Sequence, residues 1–196
     1  MASAFQLMWP GYVFLFDLRV RGFDILPDVL GYLLITAGLR RLSHLNDHFA
    51  KAARLAPIAA LVSLADIYEP VRSGAGVLTL TGPSFRTPVG AALTVAGIAL
   101  LALNLLMAWH LIAGIAQLAS ERGEDEILER TATLWPEYKG LHILLMVVWP
   151  LSALAPAMGW FAPLAQLSVG IVAYLGIMGL LRQARHAFGE SAGKAG

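Results

Sequence analysis

The segment DLRVRGFDILPDVLGY, residues 17–32, decides the fold of this chain. Its first twelve residues contain three aspartates and two arginines, and an apolar run flanks the segment on each side. Charged residues between two long apolar runs are typical of a connection between membrane helices. The segment therefore predicts a membrane helix before it and another after it.

The composition of the whole chain agrees with this interpretation. Of its 196 residues, 58% are hydrophobic and 14% are charged, and the mean hydropathy is +0.67. A soluble domain carries about 25% charged residues, so the composition predicts an integral membrane protein. The net charge of +1 gives no reason to expect a nucleic-acid partner, and the absence of cysteine excludes disulfides and thiolate metal sites.

Uncharged runs, extended by their flanking residues, predict six membrane spans. A helix needs about 20 residues to cross a hydrocarbon core of about 30 Å. The predicted spans cover residues 4–20, 25–42, 53–69, 88–118, 140–156 and 161–182. The expected fold class is an all-α integral membrane protein, a six-helix transmembrane bundle formed by one domain.

Basic residues predict the orientation of these spans. The connections and tail on one side hold ten Lys or Arg residues, and the connections on the other side hold four. Because cytoplasmic loops carry the excess of Lys and Arg, both termini are expected in the cytoplasm. The sequences WPGY at 9–12 and WPEY at 135–138 are each expected at the cytoplasmic interface, where Trp and Tyr are enriched.

Residues 120–138 predict a separate amphipathic helix in the cytoplasm. The segment is rich in Asp and Glu, and Ile127, Leu134 and neighbouring apolar residues recur at helical spacing. Such a helix lies along the membrane or against the bundle. It is also the expected docking site for a protein partner.

The first three predicted helices are short, and this brings acidic residues to one depth. Their uncharged stretches, 4–16, 29–39 and 55–65, are each about 16–20 Å long, so charged flanks must enter the membrane region. Ionisable residues within a membrane are by default candidates for function. We therefore expect a site for a small solute or ion near the outer leaflet. Its candidate ligand-binding residues are Asp17, Arg19, Arg21, Asp24, Asp28, Tyr32, Asp66 and Glu69.

Two alternatives to this interpretation stay open. Asp24 or Asp28 caps the second helix with Pro27 in its first turn, and Arg19 and Arg21 are then structural counter-ions. Separately, the first two helices form a re-entrant hairpin that does not cross the membrane, an arrangement that other helices must enclose.

A family resemblance rests on GFDILPDVLGYLLI at 22–35, followed by FAKAAR at 49–54 and DIY at 66–68. These residues resemble a family of small uncharacterised bacterial membrane proteins, common in Firmicutes, with an I/L-P-D-x-I/L-G-Y signature. The resemblance covers about the first 70 residues. It implies a multipass protein of the bacterial cytoplasmic membrane and implies no activity.

Histidines form the remaining candidate site. His110 and His142 fall in the cytoplasmic half of the fourth and fifth predicted spans, and we expect them to form a secondary polar pair. The alternative is that each makes interhelical hydrogen bonds or headgroup contacts. No catalytic residue, metal or cofactor is predicted.

Three hypotheses for function follow. The first is a binding or transport-type module for a small solute or ion. The second is a membrane accessory protein that docks a partner at residues 120–138. The third is a lipid-modifying enzyme, because Asp17, Asp24 and Asp28 are similar to the aspartate motif of CDP-alcohol phosphotransferases, although Leu18 replaces the expected Gly.

Overall fold

A computed structural model of the chain describes residues 1–15, 28–64, 85–152 and 161–190, together with the backbone of 19–20 and 23–24. For residues 161–167, 169 and 190 it describes the backbone only. The connection between the fifth and sixth predicted spans therefore lies outside the described residues.

The described residues form six α-helices, so the predicted all-helical fold is confirmed; six membrane spans stay a prediction. A short antiparallel pair of two-residue strands lies between the first two helices. The elements in chain order are α1 (Ala2–Phe14), β1 (Arg19–Val20), β2 (Phe23–Asp24), α2 (Asp28–Leu42), α3 (Asp47–Ser63), α4 (Pro88–Arg122), α5 (Asp125–Leu151) and α6 (Phe161–Glu190).

The six helices form a closed ring. Each helix packs against the next one along the chain, and α6 packs against α1. Neighbouring helices are antiparallel: the α1 residues Ala4 and Gly11 approach Gly38 and Gly31 of α2, in reverse order along the chain. Met1 and the last turn of α4 lie at the same end of the ring, where an Arg122 Nη atom is 3.4 Å from the Met1 sulfur. We call this end the Met1 end.

Local sequence signals fix the ends of α3 and α4. The Asn46 side chain caps α3 by accepting a hydrogen bond from the Phe49 N–H, at 3.0 Å. Thr87 caps α4 in the same way, with Pro88 in the first turn. Gly123 ends α4 in the left-handed conformation, with φ of 70°, which glycine adopts without strain.

The helix predicted at 120–138 is not a separate element. Residues up to Arg122 belong to α4, and the rest form the first half of α5, which continues without interruption to Leu151. The reason is a buried stripe that runs the whole length of α5, so that one face packs against the bundle throughout. The stripe consists of Ile127, Thr131, Leu134, Tyr138, His142, Leu145 and Trp149.

The helices differ greatly in length. The first three contain 13, 15 and 17 residues, which correspond to about 20–26 Å. Among the described residues, α4 alone is long and apolar enough to cross a membrane. Only 11% of its most apolar window is buried, whereas the core helix of a soluble protein is mostly buried.

The outer surface of the ring is apolar in its middle part. Every helix exposes large hydrophobic side chains there, including Trp9 on α1, Leu33 on α2 and Leu175 on α6, the last with 54% of its surface exposed. Further exposed residues on the other three helices are Ile58, Leu61, Val95, Leu106, Ile143, Leu144 and Val147. The hydrophobic residues are therefore not confined to the core of the bundle.

Glycines allow α1 and α2 to approach closely. A Cβ atom added at Gly31 would lie 2.6 Å from the carbonyl oxygen of Gly11, and one added at Gly11 would lie 2.8 Å from the carbonyl oxygen of Gly31. Neither backbone can give way without moving its helix. The contact between α1 and α2 therefore depends on these two glycines.

We expect Gly31→Ala to destabilise the protein by about 1–3 kcal/mol, because the added methyl group forces α1 and α2 apart. Thermal unfolding of the purified protein measures this change. Gly179→Ala is the matched control: it also lies within a helix, and its added Cβ has no neighbour within 4 Å. Equal melting temperatures for the two variants would contradict the proposed close contact.

Candidate functional site

Four of the five tyrosines of the chain meet inside the ring. We call Tyr12, Tyr32, Tyr138 and Tyr174 the tyrosine core; they come from α1, α2, α5 and α6. The Tyr32 side chain lies near those of Tyr138 and Tyr174, and the Tyr138 side chain lies near those of Tyr12 and Tyr174. Because α2 and α5 lie on opposite sides of the ring, Tyr32 and Tyr138 approach each other across its interior.

A hydrogen bond also crosses the interior. The Tyr32 hydroxyl donates to the Asn104 side-chain oxygen at 2.9 Å, and this links α2 to α4 although α3 lies between them in the ring. Both side chains are buried. Buried polar groups without partners are costly, so this bond both joins two helices and satisfies Asn104.

Tyr12 differs from Tyr32 in one respect. Its side chain is 1% exposed, yet its hydroxyl has no hydrogen-bond partner. The nearest ring described is that of Tyr174, with 6.1 Å between the centroids. A fully buried hydroxyl without a partner identifies a point in the interior where a polar ligand or an ordered water would form a hydrogen bond.

Asp28 connects the predicted site to the tyrosine core. It is the first residue of α2, one turn before Tyr32, and it interacts electrostatically with Tyr32. Of the eight candidate residues predicted from the sequence, the structure thus brings two together, Asp28 and Tyr32. They lie beside phenol groups instead of beside other carboxylates.

The other candidate residues are only partly described. Asp17, Arg21, Asp66 and Glu69 lie outside the described residues. Arg19 and Asp24 are backbone partners in the β1–β2 pair. The predicted acidic cluster as a whole therefore stays a prediction.

The two predicted histidines have different partners. His110 on α4 lies against His48 on α3, with 3.1 Å between their Nδ1 atoms. His142 on α5 contacts Tyr138 in its own helix, with its Nδ1 atom 3.2 Å from the Tyr138 carbonyl oxygen and the two rings stacked at 4.0 Å. The predicted His110–His142 pair is replaced by these contacts, because His48 occupies the face of α4 to which His110 belongs.

The apolar residues expected to dock a protein partner at 120–138 are buried in the bundle. Ile127 and Leu134 are each 3% exposed, because they pack into the core of the same chain. Leu134 contacts α6 at Gly176, where an added Cβ would lie 2.6 Å from the leucine. These two side chains therefore serve the packing of α5.

The sequence predicts Tyr12 and Tyr138 at the membrane interface, whereas the structure places them inside the ring. Both tyrosines are 1% exposed, whereas Trp9 is 43% exposed. A usable signal was present: Tyr12 and Tyr32 each follow a glycine of the close α1–α2 contact, in PGY and LGY. A glycine that permits close packing places the next residue near the same interface.

The described arrangement defines a class of protein: a ring of six antiparallel helices, apolar outside, with a few polar side chains in a largely apolar core. Comparison with protein-family models, with curated proteins and with solved structures finds no match to this chain. The arguments for its function therefore rest on its own residues.

We expect Tyr32→Phe to lower stability by about 1–2 kcal/mol, because it leaves the buried Asn104 oxygen without its donor. Tyr12→Phe is the matched control, since it removes a buried hydroxyl that has no partner and is expected to be neutral. Thermal unfolding in the absence of added ligand measures both changes. A larger loss for Tyr12→Phe than for Tyr32→Phe would contradict this description of the interior.

Proposed function

We propose that this chain is a multipass protein of the bacterial cytoplasmic membrane, with both termini in the cytoplasm, that binds a small cationic solute in its interior. The observation that carries the proposal is a group of polar side chains within an otherwise apolar core. The tyrosine core, Asn104 and Asp28 lie there together, while apolar side chains cover the outside of the ring.

The outer surface supports the membrane location. Soluble monomers rarely expose large contiguous apolar patches, and here large exposed hydrophobic residues occur on all six helices. The length and apolar character of α4 agree with this location. The family resemblance of the first 70 residues also points to the membrane and stays a prediction.

A change from apolar to charged residues along the outer faces supports the orientation. On α3, exposed Leu61 and Ile58 give way to exposed Arg54 and Lys51 toward the Met1 end. On α6, exposed Leu175 is followed two turns later by exposed Arg182. Basic residues concentrate on the cytoplasmic side of membrane proteins, so we place the Met1 end in the cytoplasm.

The outer face of α5 changes in the same way. It is apolar at Ile143, Leu144 and Val147, whereas Lys139 and Glu137 are exposed closer to its start. The acidic first turn of α5 lies at the Met1 end, so the proposed orientation puts it in the cytoplasm, where the sequence predicts this segment.

The chemistry of the interior favours a cation as the ligand. Asp28 supplies a carboxylate, and the tyrosine core supplies aromatic faces and hydroxyl oxygens. An ammonium group is attracted both by a carboxylate and by the faces of tyrosine rings, and cation–π contacts are worth about 0.5–2 kcal/mol each. The Tyr12 hydroxyl, which has no partner, is available to a polar group of the same solute.

The first test concerns the topology of α4. The chain has no cysteine, so Arg86→Cys and Glu126→Cys each introduce a single exposed thiol, one before α4 and one after it. We expect a membrane-impermeant maleimide to label Arg86→Cys in intact cells. It should label Glu126→Cys only after the membrane is opened. Identical labelling of the two variants would place both positions on one side and contradict the proposed span.

The second test concerns the ligand. We expect tetramethylammonium chloride to raise the melting temperature of the purified protein more than sodium chloride at equal ionic strength, because a ligand of the native state stabilises it. Asp28→Asn should abolish this difference while the protein stays folded. The measurement is thermal unfolding in a neutral detergent.

Asp47→Asn is the matched control for Asp28→Asn. Asp47 is also the first residue of a helix, but it is exposed outside the ring interior. The Asp47→Asn variant should keep the full response to tetramethylammonium. Equal responses to the two salts in the unmodified protein would contradict a cationic ligand, and equal responses in both variants would contradict the role of Asp28.

A further inference from the structure

A groove between α1 and α6 lies apart from the ring interior. It has a volume of about 540 Å³, and its polar and aromatic lining comes from Phe5, Gln6, Trp9, Arg182, Arg185 and His186. The groove faces outward, since Trp9 is 43% exposed and both arginines are exposed.

The two arginines of this groove have no counter-ion among the described side chains, and no hydrogen bond satisfies them there. They stand one turn apart on α6, so their guanidinium groups extend from neighbouring positions on one face. Two adjacent unpaired guanidinium groups form a site for an anion. Phosphate is the anion whose geometry arginine matches best, through paired N–H donors.

The surface next to the groove is apolar. Exposed Leu175 lies two helical turns from Arg182 on the same face of α6, about 10 Å along the helix axis. Exposed Val172 extends this strip further. The surface thus presents positive charge and an exposed indole at one level and a hydrophobic strip beside it.

We propose that this groove binds the phosphate of an anionic phospholipid, with an acyl chain along Val172 and Leu175. The inference rests on the proposed membrane location and goes beyond it, since the site is separate from the tyrosine core. The apolar strip distinguishes a lipid from a free phosphate ion. Basic pockets between helices on the cytoplasmic side suit anionic headgroups, and an indole suits the headgroup level.

The test uses the full chain in a neutral detergent and measures bound lipid by native mass spectrometry. Phosphatidylglycerol and phosphatidylcholine with identical acyl chains are compared. We expect a clear preference for phosphatidylglycerol. The double variant Arg182→Gln/Arg185→Gln should weaken phosphatidylglycerol binding about tenfold or more, because each basic residue near an anionic lipid contributes substantially.

The matched control is Arg40→Gln/Arg41→Gln. These two arginines are also exposed and close together on one helix, but they do not line the groove. The Arg40→Gln/Arg41→Gln variant should keep the preference for phosphatidylglycerol over phosphatidylcholine. Equal losses in the two double variants would show a general effect of positive charge and overturn the proposal.

Two further arms separate the remaining outcomes. Gln6→Glu keeps both arginines and adds a negative charge on the α1 side of the groove, so it should also weaken phosphatidylglycerol binding. Its failure to do so would overturn the proposal even if the arginine variant did not fold. Competition by inorganic phosphate at equal concentration would identify a phosphate-ion site and overturn the assignment to a lipid.

A different result would contradict the proposed membrane location. Release of the chain from cell membranes by alkaline carbonate would contradict that location and this inference together. A chain that stays in the membrane but binds both lipids equally would overturn the groove assignment alone.

Discussion

The backbone contact between α1 and α2 is the constraint on which the interior depends. A side chain at Gly31 would meet the Gly11 carbonyl, so the two helices are as close as their backbones permit. Each glycine is followed by a tyrosine that is buried inside the ring. The glycines thus set the spacing of the helices, and Tyr12 and Tyr32 bring hydroxyl groups into a largely apolar interior.

Polar groups inside the ring then hold helices that are not neighbours. The hydrogen bond from Tyr32 to Asn104 spans from α2 to α4. Asn46 joins two neighbouring helices, since it caps α3 and donates to the Gly114 carbonyl of α4 at 3.0 Å. Apolar contacts are not directional, whereas a hydrogen bond requires a particular partner and geometry. Hydrogen bonds and close packing therefore specify which faces of the helices meet.

Composition and charge pattern were sufficient to predict six helices, the shortness of the first three, and the start of α4 at Pro88. They were also sufficient to select Asp28 and Tyr32. The packing of α6 against α1 and the His48–His110 contact could not be predicted from composition and charge, because both join residues far apart in the chain. The continuity of α5 was missed because charge near its start resembled a boundary, whereas its buried face continues through that region.

Closure of the ring between the first and last helices has a consequence for biosynthesis. During synthesis, α1 to α5 are made before α6 exists, so the flank of Tyr12 that later faces Tyr174 stays uncovered by the chain in this interval. The ring therefore closes only after translation has delivered its last helix.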